Sequence, residues 1–578
     1  MNVKNCLSVL ALVIFLSLYK VHGQFVNLWD VKYAHSSGLI NGYSNESKKI
    51  AVDANGNIFV LADVVSDTDP NGILTGLTYH YTVLLKYDSN GNLLNQVIIN
   101  VNNHLNAGFT NYGAFGLEID AAQNVYIGYA SYSAVSDYDV VVSKYTNSLT
   151  LIWSSTHPSV RLDQGVAMAI NNSGQVYLII KTTNLQGNIT YHALRFSGAP
   201  AVSNILYSFE TATEVIHSMK YDGGTSLYVV GYKLVNGFKA ALTAKISTNG
   251  MLLWKKIFDA GTASRDDYLN DLVIGSDGNV YAIGFADRGL PTNNDAMVLK
   301  HDAGGGKVLW AKYIDRNNGN ENGVKIISPI PNFIYIGVNS GNSVFIEKLD
   351  NAGLAYSGPG SANQTINNRY VYNPVPVSAY QSLNGASFTD IQATSNNRFY
   401  LTGNILATDN SNKPFNATFL IRLKETPNSR SSNIFSLEAS EAVNGSNNQA
   451  FVSVGLALYS PTKNVFWLRD QISTYSSHED EKVRIDAYQL PSPFRNLQPD
   501  EMFVSVTPNP VIDKVTISSS SEVSLIRLYD LSGRECDLKT TRATGSIEMD
   551  MTGLNKGVYI LKVFGTNENV YTHKLIKN

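Results

Sequence analysis

The chain has 578 residues with a formal net charge of −3 and 16% charged residues, a length that exceeds one ordinary core and calls for several domains or a repeat array. The near-neutral balance offers no electrostatic footprint for nucleic acid and no strong pull toward an anionic membrane, so neither partner is expected. Abundant Gly (44) and Tyr (33) describe a turn-rich β protein, and a disordered chain would carry fewer aromatics.

At the N-terminus, Lys4 precedes an apolar run from Leu7 to Leu18. A run of about a dozen residues suits a signal peptide and is short for a membrane span. Val21 and Gly23 stand at the cleavage offsets, so residues 1–23 are read as a signal peptide cut between Gly23 and Gln24; the alternative is an uncleaved anchor. Cys6 precedes the apolar run, which disfavours a lipoprotein. Removal of the signal leaves Cys536 as the sole cysteine, excluding an intramolecular disulfide and a cysteine-built zinc site. No later stretch is apolar and long enough to span a bilayer.

The stretch "DANGNIFVLADV" from Asp53 reads either as a cation loop or as a turn feeding a strand. Its copies decide: "EIDAAQNVYIGYAS", "AINNSGQVYLIIKT", "MKYDGGTSLYVVGYK", "LVIGSDGNVYAIGFA", "IISPIPNFIYIGVNS", "IQATSNNRFYLTGNI" and "LYSPTKNVFWLRDQI". The carboxylate is not retained among them, whereas an aromatic is, at Phe59, Tyr126, Tyr177, Tyr228, Tyr281, Tyr335, Tyr400 and Phe466. The stretch is therefore a hairpin turn. The aromatics recur every 50 to 67 residues or so, the range of propeller blades with variable loops.

A second element follows each copy, such as "TVLLKYDSNGNLLNQVIIN" and "MVLKHDAGGGKVLWAKYID": apolar strand, basic residue, turn, strand. One repeat is thus four strands in meander order. Segments such as "VYAIGFA" are apolar on both faces, as expected where sheets stack face to face. Gly128, Gly231, Gly284, Gly337 and Gly403 follow the aromatic, where a strand near a crowded axis needs positions without bulk; bulges are the alternative reason. The last repeat lacks a fourth strand, and "FVNLWDVKYAHSSG" at the mature start matches one, so the chain ends can close the ring. The fold expected over residues 24–490 is an all-β, eight-bladed β-propeller of four-stranded antiparallel blades, with seven blades as the alternative. These copies resemble the secreted bacterial β-propeller repeats whose pattern is aspartate-x-x-glycine-asparagine-valine-tyrosine-x-x-glycine. The best match spans Asn270 to Asp315. The resemblance implies the fold and is nearly silent on function.

A Pro-containing linker, residues 491–502, leads to a changed pattern over residues 503–578. Pro508, Asn509 and Pro510, then "LYDLSGRE" with Asp530 and Gly533, then "GVYILKV" and "KLIKN" with Gly557, Tyr559 and Lys574, stand in order. This segment resembles the C-terminal sorting domain of the type IX secretion system, expected as a small β-sandwich. The resemblance implies Sec export, passage across the outer membrane by that machinery as partner, and release or attachment at the cell surface of a Gram-negative envelope.

Chemistry is sparse. There is no His-Glu-x-x-His helix, Gly-x-Ser-x-Gly elbow or phosphate loop. His478, Glu479, Asp480 and Glu481 read as a solvated hairpin tip, and Asp266 and Asp267 as turn residues, because neighbouring repeats show no equivalent pair. No cofactor is expected apart from a candidate structural calcium at Asp67, Asp69 and Asn71, spaced as in a calcium loop, though Thr78 stands where an EF-hand places Glu. The longest insertion, residues 356–388, offers Tyr370, Tyr372 and Tyr380 among amides as ligand-loop candidates. The leading expectation is a non-enzymatic exported binding or adhesion protein with a glycan, protein or matrix ligand. The alternative is an extracellular polysaccharide hydrolase or lyase with its site at the channel mouth. Convergent carboxylates, His or Arg in the channel would favour the enzyme, and a lining of Asn, Ser and Tyr the binder.

Overall fold

The structure is a computed structural model. It describes residues 26–33, 44–68, 74–104, 113–133, 137–159, 162–198, 201–260, 265–289, 293–315, 320–354, 368–372, 380–394, 397–409, 414–425, 435–443, 449–459, 464–473, 482–489, 504–507, 511–519, 523–530, 534–536, 539–543, 546–565 and 570–577. The chain divides into two compact units, residues 1–490 and 491–578. Among the described residues, no helix is long and apolar enough to cross a membrane.

The described residues of the first unit form eight four-stranded antiparallel sheets, seven of them simple meanders. Their innermost strands begin, in chain order, at Ser44–Val52, Gly116–Ile119, Leu162–Ile170, Glu214–Tyr221, Asp267–Ile274, Glu321–Ile327, Tyr380–Ala393 and Gln449–Tyr459. The eighth sheet takes its outer strand from the other end of the chain: Val26–Tyr33 pairs antiparallel with Lys482–Gln489. The N-terminal strand therefore completes the last repeat, as its sequence predicts. Each innermost strand touches that of the next sheet, and the eighth touches the first, so the sheets follow one another in a closed cycle.

Burial follows the same cycle. In the second strand of the fifth sheet, Val280, Tyr281, Ala282 and Ile283 are all fully buried. Val280 and Ala282 join the core shared with the fourth sheet, Tyr281 and Ile283 the core shared with the sixth. Alternation along a strand thus serves two neighbours, which explains the two-faced apolar runs. The core between the eighth and first sheets is built alike, with Phe466 and Leu468 against Ile58 and Val60.

In the first four sheets the hairpin entering the second strand is held by its own first residue, Asp53, Asp120, Asn171 or Asp222. Asp53 Oδ1 accepts from the backbone N–H groups of Asn55 and Asn57, both at 2.8 Å, and Asp53 Oδ2 accepts from the Asn57 amide at 2.7 Å. Gly56 supplies the positive φ of 83°. The carboxylate oxygens are occupied by protein donors, in line with the turn reading.

Seven innermost strands carry a one-residue bulge at a common place, between Ser47 and Lys49, Leu269 and Asp271, or Phe388 and Asp390, for example. The bulge explains the recurring glycines. A Cβ on Gly231, Gly284 or Gly403 would lie 1.9–2.0 Å from the carbonyl oxygen of Val215, Tyr268 or Ser387, in the bulged strand beside it. The constraint at these three positions comes from the adjacent strand's bulged backbone rather than from a crowded axis.

The second unit consists of two four-stranded antiparallel sheets. Val515, Ile517 and Met549 from one and Leu528, Leu561 and Val563 from the other share a single core.

Candidate functional site

Five charged side chains from five sheets converge on the axis of the cycle: Lys49, Glu118, Lys220, Lys325 and Asp390. All sit on innermost strands, at one of two same-face positions. The third and eighth sheets place small residues there, such as Ala169 and Gly455, and the fifth places Asp271, whose carboxylate accepts from Ser218 Oγ and the Ile326 N–H. Burial holds the Lys49 ammonium below its ordinary range, and Lys325 adds to this, while Asp390 and Glu118 oppose it. Burial likewise raises the Glu118 carboxyl, against Lys220 and Lys49, and the Asp390 carboxyl, against Lys325. The first, fourth and sixth sheets are not neighbours, so their side chains can meet only over the axis. Lys49 and Lys220 are nonetheless exposed to solvent. These side chains thus share an axial surface that is open to solvent at Lys49 and Lys220.

A second feature lies at the rim, where the fourth and fifth sheets meet. Asn236 and Gly237, with φ of 53° and 87°, form a two-residue hairpin between paired Val235 and Phe238. Both central residues have positive φ, the need that Asn-Gly meets. The turn leaves the Phe238 ring exposed over a cleft of about 570 Å³. Tyr268 and Phe285 stack in its wall, 4.9 Å between centroids. Lys239 Nζ lies 5.3 Å from the ring centres of both Tyr232 and Tyr268 and 3.5 Å from Asp266. Arg265 bonds Asp287 at 3.1 Å and rests where a Cβ on Gly289 would stand. Beneath them His217, the bulged residue of its strand, contacts the Leu269 carbonyl through Nδ1 at 2.8 Å, and burial lowers its pKa. The cleft thus offers aromatic faces bordered by paired charges and the Asn294 amide.

The structure revises the reading of Asp266 and Asp267. Asp266 Oδ1 accepts the Lys239 backbone N–H at 2.9 Å, tying the hairpin to the cleft. Asp267 opens an innermost strand and is buried. Neighbouring repeats do carry an equivalent acid: Asp163, Glu214 and Glu321 stand at the same place, two residues before the bulge. Local sequence comparison missed them because Asp and Glu alternate and the flanking residues differ.

The other predicted site residues fall as follows. Arg369–Tyr372 is the fourth strand of the sixth sheet, so Tyr370 and Tyr372 are blade residues packed on the core rather than a loop platform. Tyr372 meets Phe419 at 4.8 Å, and burial pushes the Tyr370 hydroxyl up to about 12. Tyr380 begins the seventh innermost strand. Asp67 lies in the strand Ile58–Thr68, while Asp69 and Asn71 lie outside the described residues. So do Gly23, Gln24, the 491–502 linker, Pro508, Asn509, Pro510, Gly533 and the group from His478 to Glu481. In the second unit Asp530 Oδ1 accepts the Arg534 backbone N–H at 3.0 Å, a turn function. Gly557 opens a strand, Tyr559 is buried and donates to the Asn555 carbonyl at 2.8 Å, and Lys574 pairs with Ile560. Lys239 and Phe238 were not singled out in the sequence; the Asn-Gly dipeptide was the signal that could have found them.

Residues 505–578 match the family described as the secretion system C-terminal sorting domain. The protein is accordingly one exported by the type IX secretion system, secreted or held at the cell surface. No curated protein sequence is similar to the chain. Among solved structures it is similar to the periplasmic gluconolactonase of Pseudomonas aeruginosa (12% identity, TM-score 0.36, covering 64% of this chain and 96% of that one). It is similar also to the β-propeller domain of the Trilobed protease from Pyrococcus furiosus (8%, 0.33, 68% and 99%). A third is puromycin hydrolase (8%, 0.35, 74% and 58%), of which this chain thus spans little more than half. At these identities and scores no activity carries over.

Proposed function

We propose that the protein is an exported carbohydrate-binding β-propeller. In this reading residues 1–23 are a signal peptide, the eight sheets are blades of one closed ring, and the C-terminal unit is a small sorting β-sandwich. The observation that carries the binding role is the rim cleft. An exposed Phe238 ring beside the stacked Tyr268 and Phe285 supplies apolar faces, and paired Lys239–Asp266 and Arg265–Asp287 supply donors and acceptors around them. Sugar rings present an apolar face edged by hydroxyls, which such a surface complements. A structural calcium in the turn after Asp67 belongs to the same reading; calorimetry on Asp67→Ala tests it, and an unchanged calcium response removes it.

The test is a glycan array with the propeller lacking signal and sorting domain. Binding to a defined glycan class, lost in Phe238→Ala, is the expected result. Equal binding by the variant, or no glycan bound, overturns the reading.

A second reading, a polysaccharide hydrolase or lyase, draws on the axial surface. A lysine held low and carboxyls held high by burial are the condition in which side chains exchange protons near neutral pH. Release of reducing ends from a polysaccharide, abolished in Glu118→Gln, would favour it.

A further inference from the structure

We infer that the junction of the fifth and sixth sheets holds a hard divalent cation, calcium in preference to magnesium, between Asp295, Asp315 and Glu321. This site is distinct from the turn after Asp67 and does not depend on what the rim cleft binds. Asp295 lies in the strand Asn293–His301, and Glu321 opens the next sheet's innermost strand. Asp315 follows the strand Val308–Ile314, one step beyond the Ala296–Ile314 pair, which sets it opposite Asp295. One oxygen from each residue lies within 4.8 Å of the others.

The second observation is the state of Asp295. Its side chain is 4% exposed, and Oδ1 is shielded from water without a hydrogen-bond donor. A buried carboxylate oxygen is ordinarily satisfied, because leaving it bare forfeits its hydration. The same carboxylate lies beside those of Asp315 and Glu321. Among the described residues, Arg288 acts on Asp295, and its guanidinium lies over the Tyr313 ring at 3.9 Å from its centroid. Three carboxylates so close repel one another, and a cation among them relieves that repulsion.

The fold supplies its own comparison. The same three positions at the junction of the second and third sheets are Asp139, Pro158 and Asp163, and at that of the fourth and fifth Ala240, Asp259 and Asp267. Those junctions hold two acids each; Thr182 donates to Asp163, the Ser159 N–H to Asp139 and the Ala260 N–H to Asp267, as Ser340 does to Glu321. Asp163 and Asp267 each keep one buried oxygen without a donor, so what sets the fifth junction apart is its third carboxylate. The fifth junction fills all three positions with carboxylates. Three carboxylates on strands of two sheets suit calcium, which takes many oxygens in flexible geometry; magnesium keeps most of its waters and takes one or two carboxylates. Asp315 is exposed and gives the ion its way in.

The experiment is calcium titration calorimetry, with thermal unfolding in calcium and in chelator, on the mature full-length chain. Calcium binds the parent and raises its Tm. In the Asp67→Ala background Asp295→Asn abolishes the remaining response, and Asp315→Asn, an exposed change that leaves the fold intact, weakens affinity about tenfold or more. Asp67→Ala retains the response attributable to Asp295. No calcium response in the parent, or parent-like affinity in both Asp295→Asn and Asp315→Asn, overturns the site. Tighter binding of magnesium than calcium overturns the choice of ion.

Discussion

Lys86 Nζ in the first sheet donates to the backbone carbonyl of Asn147 in the second, at 2.9 Å and across 61 residues of sequence. The arrangement repeats: Arg195 bonds the Thr248 carbonyl at 3.1 Å, Lys245 that of Ala303 at 3.1 Å, and Lys300 that of Asn351 at 2.8 Å. Each cation pairs across the hairpin with the recurrent aromatic, Phe59 with Lys86 and Tyr281 with Lys300, and reaches the last turn of the next sheet. Four sheets are stapled to their successors in this way.

Breaking one staple tests its worth. Lys300 also meets Asp277 at 2.9 Å and lies 5.0 Å from the Tyr281 ring centre. Replacement by Met keeps the stem and removes the charge-assisted bonds. We expect Lys300→Met to lower unfolding stability by about 1.5–3 kcal/mol, measured by urea denaturation. A loss within error of zero would make the lysine a solvated bystander.

The glycine beside each bulge is the next target. In Gly284→Ala the new methyl would meet the Tyr268 carbonyl at 1.9 Å, so one strand must shift. A loss of about 2 kcal/mol or more is expected from overpacking. Gly223→Ala lacks any such neighbour but has a φ of 77°, so its cost comes from backbone strain, about 1 kcal/mol. Equal losses in the two variants would remove the role assigned to the bulge.

Stability should also report the buried acid of the fifth sheet. Burial pushes the Asp267 carboxyl up to about 6, above its ordinary value of 3.8, with Asp259 and Asp287 adding and the Ala260 N–H opposing. A raised folded-state pKa means that the folded protein holds its proton longer than the unfolded chain. Its contribution is complete below about pH 4 and declines as pH rises to about 6. Asp267→Asn should therefore gain stability relative to the parent between pH 4 and pH 7, by on the order of 2 kcal/mol. Parallel pH profiles for the two proteins would contradict this.

Export offers a cellular test. Removing residues 503–578 deletes the matched sorting segment and should trap the propeller in the periplasm. Immunoblots of periplasm and medium check it, and undiminished appearance outside the cell would show that another signal directs export.

Much of this architecture was legible in the sequence, and the reason is repetition. One copy of "DANGNIFVLADV" is ambiguous, but eight aligned copies expose an aromatic that burial never releases: Phe59, Tyr126, Tyr177, Tyr228, Tyr281, Tyr335, Tyr400 and Phe466 are all at most 2% exposed. The missing fourth strand of the last repeat and the matching first strand were equally readable, because pairing depends on local pattern. The sorting segment was readable from its punctuating residues for the same reason.

The candidate sites were not readable, because they are made by residues whose nearness belongs to the ring. Nothing along the chain brings Lys49 beside Lys325 and Asp390; closure of the cycle does. Asp295 and Glu321 are ordinary acids in their own strands until two sheets stack. Tyr370 and Tyr372 looked like loop aromatics until pairing with Val344–Ile346 made them a blade strand. Sequence by itself determined the repeated unit and its ends, since backbone pairing and side-chain alternation act over a few residues. Only the tertiary structure decided which charges share the axis, the cleft and the junction, since burial and Coulomb interaction depend on distance in space.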